Sequence, residues 1–283
     1  MPSSSAPWHQ QPVQPLTQHE FDNISQLAYE KFGLELKGEK RELVSARLGK
    51  KVRTLGCGSF QEYYEHVVED RTGEALIELI DALTTNFTSF MREPSHFEFL
   101  RQEAMSGWLA RDRVRIWSTA CSTGEEPYTL AFSLLDVLGA AKRPCLQIVA
   151  SDISSRALQE ARRGIYTATR LENLPPGWLR AFFLKGEGKW KGCYRVKPEV
   201  AGMIEFRRLN LIEPVSSSEP FAAILCRNVM IYFNKATQQT LVQRLASQLE
   251  PGGYLLIGHS ESLTGIDHPL TYVRPTIYRR GRA

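Results

Sequence analysis

No run of apolar residues approaches the roughly 20 that a bilayer span requires, and no basic stretch followed by an apolar one opens the chain. Neither a membrane anchor nor a signal peptide is expected. The five cysteines (Cys57, Cys121, Cys145, Cys193 and Cys226) are odd in number, scattered, and form no C-x-x-C pair. That argues against a zinc motif or a disulfide framework and suits a reduced, cytoplasmic protein. Charge of one sign is not in great excess: 35 Lys and Arg stand against 31 Asp and Glu, a net +4. A chain built to coat nucleic acid along its length would be more basic. No internal repeat is visible. What remains is an ordinary globular balance, 42% hydrophobic and 23% charged over 283 residues, enough for one large domain and a small one.

The charge that is present is unevenly placed. Lys37, Lys40, Arg41, Arg47, Lys50, Lys51 and Arg53 are opposed locally only by Glu39 and Glu42. This segment alone exceeds the excess of the whole chain, which points to a local acidic partner. Residues 1–16 hold four prolines, three consecutive serines and no Asp, Glu, Lys or Arg, and read as a disordered tail. From Thr17 a capping box with Glu20 opens a helix that Gly33 ends. Three further helices are predicted over 40–55, 59–68 and 73–83, giving a small helical domain over 17–83. Residues 84–110 read as a linker. From 111 to 283 the rhythm becomes strand, turn, helix, with strands at 114–120, 146–153, 203–209, 221–226, 253–258 and 276–280. That alternation predicts an α/β fold, a doubly wound, mostly parallel sheet with helices on both faces. A glycine-rich stretch around Lys189-Trp190-Lys191 breaks the rhythm and reads as an inserted antiparallel β-subdomain over about 186–202.

Open parallel sheets bind ligands at the carboxyl ends of their strands, near the point where strand order reverses. The first strand is followed by Ser122-Thr123-Gly124-Glu125-Glu126-Pro127, with one glycine and two acids. A dinucleotide fingerprint has G-x-G-x-x-G there, and two carboxylates would repel a pyrophosphate; they suit a cationic or hydroxyl-rich ligand. Strand two ends at Asp152, an acid where ribose hydroxyls are commonly held. Strand three runs into Asn210-Leu211. Strand four is followed by Arg227-Asn228, with Tyr232 four residues on. Upstream, Thr84 to Pro94 carries threonines and an Asn that favour contacts outside helix interiors. Each feature also has a plain structural use, as a helix cap, a turn residue or a packed aromatic. Their convergence on one sheet edge is what suggests a site.

These strings closely resemble the CheR-type chemotaxis receptor methyltransferases. The resemblance is carried by Leu83-Thr84-Thr85-Asn86 with Phe90 and Arg92-Glu93, by Ser122 to Tyr128, by Ala150-Ser151-Asp152-Ile153, by Asn210-Leu211, by Cys226 to Phe233, and by Gly258-His259-Ser260-Glu261-Ser262. It runs from about residue 17 to the end. It implies a class I S-adenosylmethionine methyltransferase domain behind a helical N-terminal domain, with S-adenosyl-L-methionine as cofactor and S-adenosyl-L-homocysteine as product. Cofactor contacts would fall on Asn86, Thr88, Arg92, Glu126, Asp152, Asn210, Leu211, Arg227 and Asn228. Arg92 and Tyr232 would lie near the transferable methyl. The basic helix bearing Arg47, Lys50, Lys51 and Arg53 would meet the acidic methylation helices of a methyl-accepting chemotaxis receptor. Some family members also dock a receptor C-terminal peptide on the β-subdomain. The implied protein is a cytoplasmic protein-glutamate O-methyltransferase and a monomer, with no nucleic acid, no inserted membrane segment and no metal.

Rival readings meet specific obstacles. A nucleic-acid methyltransferase would often carry an N-P-P-Y-like loop after strand four, where this chain has Arg227-Asn228-Val229-Met230. A hydrolase would need G-x-S-x-G, but Ser262 occupies the last glycine position after Gly258-His259-Ser260. A non-catalytic receptor-binding adaptor would keep the fold with no need for the whole set of polar strand ends.

Overall fold

The computed structural model describes residues 14–84, 87–108, 110–138, 145–215, 217 and 219–282. Most of the expected tail, residues 1–13, lies outside them. The chain divides into two compact units, Met1–Thr85 and Asn86–Ala283.

The first unit is helical: α1 (Gln18–Phe32), α2 (Arg41–Thr54), α3 (Phe60–Glu69) and α4 (Glu74–Leu83). The capping box forms as the sequence predicts. The Glu20 N–H donates to Thr17 Oγ1 at 3.2 Å and the Thr17 N–H to Glu20 Oε2 at 2.8 Å. Gly33 closes the helix at φ 69°, a left-handed position that costs glycine little. Phe21, Ile24 and Ala28 of α1, Val44, Leu48 and Val52 of α2, Phe60, Tyr63 and Val67 of α3, and Ile77 and Ile80 of α4 fill the core at helical spacing. On α2, Leu43 falls outside this stripe and is exposed.

The second unit is built on a seven-stranded sheet of order β6-β2-β1-β7-β8-β10-β9. The strands are β1 (Val114–Ser118), β2 (Leu146–Asp152), β6 (Ile204–Arg208), β7 (Phe221–Cys226), β8 (Leu249–Ile257), β9 (Leu270–Arg274) and β10 (Ile277–Arg280). The pairs β1–β2, β1–β7, β2–β6 and β7–β8 are parallel; β10 runs antiparallel to both of its neighbours. The order reverses at β1, which places the switch point between β1 and β7. Side-chain alternation splits the core in two. Ile116, Ile148, Ala223 and Leu256 face one layer, and Trp117, Val149, Ile224 and Leu255 face the other. The first layer is covered by α5 (Pro94–Glu103) and α6 (Glu125–Leu138), the second by α10 (Lys235–Gln248). α7 (Ser155–Arg163) follows β2, capped by Ser154 and ended by Gly164.

Three features depart from the sequence expectation. The stretch 84–110 is not linker throughout, because Pro94 starts α5, whose Phe97, Phe99 and Leu100 are buried. The antiparallel insert is larger than a hairpin at 186–202. It is a three-stranded sheet of order β3-β5-β4, from β3 (Ile165–Thr167), β4 (Phe183–Lys185) and β5 (Cys193–Val196), with α8 (Trp178–Phe182) between β3 and β4. Lys189 and Trp190 lie in a single 3₁₀ turn, Gly188–Trp190, and α9 (Pro198–Ala201) follows β5. Strands of three or four residues are too short to show a period of two. β9 was also unexpected, since only Leu270 of its five residues is buried.

Candidate functional site

The carboxyl ends of five parallel strands share one edge of the sheet, and backbone bonds stitch them together. The Thr119 N–H reaches the Leu225 carbonyl, the Cys121 N–H the Ser151 carbonyl, and the Leu209 N–H the Asp152 carbonyl, at 2.9, 2.9 and 3.0 Å. Asp152 ends β2; its Oδ2 accepts the Ser122 N–H at 2.7 Å and its Oδ1 the Ser154 N–H at 2.9 Å. One carboxylate thus fixes the turn after β1 and the start of α7. Asn210 and Leu211 follow β6. Asn210 Nδ2 donates to Glu213 at 3.1 Å, and the Leu211 side chain packs in the second core layer.

The turn after β1 is locked from below. Gly124 adopts φ 97°, and a Cβ there would come within 2.9 Å of Ala161 Cβ and of Tyr166 Oη. Tyr166 of β3 donates to the Thr123 carbonyl at 2.7 Å. Arg170 pairs with buried Glu125 and reaches Thr123 Oγ1 at 2.6 Å. The small sheet therefore supports the first turn, a role that its sequence did not announce.

At the switch point lies a buried ion cluster. The Arg227 side chain is 1% exposed. It donates to Glu126 Oε2 at 2.8 Å and to Glu93 Oε2 at 3.0 and 3.2 Å, and it also binds the Arg92 carbonyl. Ser118 donates to the other Glu126 oxygen at 2.7 Å. Burial pushes the Glu126 carboxyl above its usual range despite Arg227; at Glu93 burial is outweighed by Arg227 and by donors from His259 and Asn228, and the value falls. Glu93 Oε1 accepts from Asn228 Nδ2 at 3.2 Å and from the His259 N–H at 3.1 Å.

A second buried carboxylate shapes the loop after β7. Glu261 accepts five backbone N–H groups: Gly258 at 2.6 Å, Asn228 at 3.0 Å, Val229 at 3.0 Å, Met230 at 2.7 Å and Ile231 at 3.3 Å. Asn228 sits at φ 57°, and a Cβ on Gly258 would come within 2.5 Å of Asn228 Nδ2. Among the described residues, four of the five non-glycine residues at positive φ (Met91, Glu93, Ser122 and Asn228) belong to these segments. Backbone held in a sparsely populated region is a mark of functional sites when its surroundings over-determine it.

The residues singled out from sequence separate as follows. Arg92, Glu126, Arg227 and Asn228 meet in one network, to which Arg92 contributes its carbonyl. Arg92 Nη1 itself donates to the Phe87 carbonyl at 2.7 Å. Asp152, Asn210 and Leu211 line the neighbouring strand ends. Thr88 and Tyr232 are partly buried, Tyr232 in the 3₁₀ turn Met230–Tyr232. Asn86 lies outside the described residues. In the helical unit, Lys50 and Arg53 are exposed, Lys51 pairs with Glu78 at 2.7 Å, and Arg47 binds the Leu83 carbonyl. Glu93 and Glu261 stood in the motif strings without a role. Arg227 lies more than 130 positions from Glu93, and the Asn228–Ile231 loop about 30 from Glu261, so spacing alone could not reveal those roles.

Known proteins match this chain over most of its length. The family model described as CheR methyltransferase, SAM binding domain matches residues 86–278, and CheR methyltransferase, all-alpha domain matches residues 19–84. The chain is 40% identical over 263 residues to Chemotaxis protein methyltransferase 2 of Pseudomonas aeruginosa, covering 93% of each. It is 41% identical to Chemotaxis protein methyltransferase of Klebsiella aerogenes, covering 93% of this chain and 90% of that one. It is 39% identical to Chemotaxis protein methyltransferase of Escherichia coli, covering 93% and 91%.

Proposed function

The chain belongs to the CheR methyltransferase family, and from that premise we propose that it methylates glutamate side chains of chemotaxis receptors in the cytoplasm, giving methyl esters. The chain is a methyltransferase, and its cofactor is S-adenosylmethionine. The strand ends suit that group. Asp152, Glu93, Glu126 and Glu261 outnumber Arg92 and Arg227, a balance favourable to a sulfonium, an ammonium and hydroxyls and adverse to phosphate. Among the described residues no helix is long and apolar enough to cross a membrane.

S-adenosylmethionine supplies a methyl group already activated on a sulfonium. A glutamate, with a reference pKa of about 4.3, is already ionised at neutral pH. The protein need not abstract a proton; alignment and exclusion of water carry the rate. Asp152 holds the ribose: a carboxylate has about four lone-pair sites, so its ties to Ser122 and Ser154 are compatible with ribose hydroxyls. Asn210 and Leu211 take the adenine side, and Asn86, Thr88 and Asn228 the methionine side. Arg227 acts through others, because its guanidinium is committed to Glu93 and Glu126. Arg92 and Tyr232 face the transferring methyl and orient the incoming carboxylate. Lys50 and Arg53 steer the acidic receptor surface.

The observation that carries the reading is the polar strand-end set inside a chain about 40% identical to chemotaxis methyltransferases over nine-tenths of its length. The test is transfer of labelled methyl from S-adenosylmethionine to a receptor cytoplasmic fragment. A base-labile label is expected, because an ester hydrolyses in mild base. A base-stable label would mean N-methylation and would refute the glutamate assignment.

A further inference from the structure

Beside Arg227 the side chains of Glu93 and His96, three residues apart, meet that of His259 from far along the chain. His96 of α5 is fully buried, and its Nε2 lies 2.7 Å from Thr276 Oγ1. The Thr276 hydroxyl donates its proton to the Pro275 carbonyl at 2.7 Å. With the Thr276 proton on that carbonyl, Oγ1 is the acceptor toward His96, whose proton then sits on Nε2. A neutral ring of that tautomer leaves a bare lone pair on Nδ1. Nδ1 is buried with no hydrogen-bond partner, and it faces Glu93 Oε2 at 3.5 Å. Two lone pairs facing each other in a buried place are unfavourable unless a proton, a water or a cation lies between them.

His259 completes the group. Ligating atoms of Glu93, His96 and His259 all lie within 4.8 Å of one another. The two rings meet edge to face at 5.0 Å and 76°. His259 is exposed and gives a way in from solvent. We propose that Glu93, His96 and His259 form a binding site for a divalent transition-metal ion of the zinc type, and that occupying it inhibits cofactor binding. Two imidazoles and one carboxylate with an open position is a common zinc donor set, whereas magnesium and calcium prefer all-oxygen ligands. The Thr276 bond to Nε2 is the outer contact that fixes ring and tautomer in metal-bound histidines. Glu93 and Glu126 together leave one negative charge over Arg227, so a dication enters no positive surplus.

The inhibition follows from Glu93, and this part rests on the strand-end cofactor site proposed above. Metal–oxygen bonds of about 2.0–2.2 Å require the Glu93 carboxylate to turn toward the histidines. It would then give up Arg227 at 3.0 Å and Asn228 Nδ2 at 3.2 Å. By linkage, cofactor must weaken the metal as much as metal weakens the cofactor.

The test uses the full chain, freed of metal by a chelator, with its thiols kept reduced. Zinc chloride is titrated by calorimetry into wild type, His259→Ala and His96→Asn; magnesium chloride serves as control. Expected is saturable zinc binding, weakened at least about tenfold by His259→Ala, and no heat with magnesium. S-adenosylhomocysteine affinity should fall about fivefold or more in zinc-loaded wild type and stay unchanged by zinc in His259→Ala. Because His259 is exposed, that variant carries the test even where His96→Asn fails to fold. Equal zinc affinity in wild type and His259→Ala would place the ion elsewhere, on a thiol for example, and overturn the site. Absence of saturable binding would leave a water between His96 and Glu93 and overturn it equally. Zinc binding through His259 with no effect on S-adenosylhomocysteine would sink the inhibitory coupling. Failure of S-adenosylhomocysteine to bind metal-free protein would instead sink the cofactor-site reading, so the two failures are distinct.

Discussion

Replacing Glu261 by Gln tests whether the loop after β7 is held by one buried carboxylate. The amide keeps one oxygen and substitutes an NH₂ for the other. With its oxygen toward Val229, Met230 and Ile231, the NH₂ faces the Gly258 and Asn228 N–H groups, which sit 2.6 and 3.0 Å from the present oxygen. Two donors then lose their acceptor at about 1–3 kcal/mol each, a gross cost of roughly 2–6 kcal/mol. Burial offsets part of it, because it pushes the Glu261 carboxyl above its usual range while the N–H groups pull it down, and a neutral amide escapes that penalty. A net loss of about 2–3 kcal/mol is expected, a large share of the 5–15 kcal/mol typical of a folded protein. Asn228, held at φ 57° by this network, should lose its place, so affinity for S-adenosylhomocysteine should fall about tenfold. Urea denaturation and calorimetry measure the two effects. Glu205→Gln is the control, since Glu205 pairs with Arg207 on the surface, where such pairs contribute about 0–1 kcal/mol. A Glu261→Gln protein matching that control in both measurements would mean that this carboxylate does not hold the loop.

Asp152→Ala removes a charge-assisted bond to the ribose and should weaken cofactor binding by roughly 1.5–3 kcal/mol; unchanged affinity in a folded variant rejects the assignment. His96 is buried neutral, its pKa lowered to about 3 first by burial and then by Arg227. Between the ordinary value near 6.5 and about 3 the unfolded chain binds a proton that the folded one refuses. This group's contribution is thus fully present above pH 6.5 and is lost on acidification, at up to about 1.4 kcal/mol per pH unit. His96→Asn, with chelator present, should flatten that limb of the denaturation midpoint, and parallel curves for the two proteins would contradict it. Reversing Lys50 and Arg53 to Glu should slow receptor methylation and weaken its salt dependence while cofactor affinity stays as it was. A normal rate would remove α2 from the docking role. Arg47 is best left intact in that test, since it holds the Leu83 carbonyl.

Much of this molecule was legible because local rules acted alone. Thr17 and Glu20 announce the start of α1, Gly33 its end, and apolar strands separated by helices announce the parallel sheet. The sequence strings around Glu126, Asp152 and Asn228 also pointed to one edge of that sheet. What stayed hidden depends on partners far apart in sequence. Arg227 reads as a ligand contact, yet its guanidinium is committed to Glu93 and Glu126. Lys51 and Arg47 read as one docking surface with Lys50 and Arg53, yet Lys51 pairs with Glu78 and Arg47 with the end of α4. The three short strands of the insert are ordered by pairing with one another, and Tyr166 of β3 and Arg170 in the 3₁₀ turn after it reach to the first turn.

Mapping the modified atom tests glutamate esterification directly. A receptor cytoplasmic fragment is incubated with this protein and S-adenosylmethionine, digested, and its peptides sequenced by mass spectrometry before and after mild base. One methyl is expected on particular glutamates, lost in base, and absent when those glutamates are replaced by alanine. Methylation confined to lysine, arginine or the chain terminus, or none with an enzyme that binds S-adenosylhomocysteine, would contradict it.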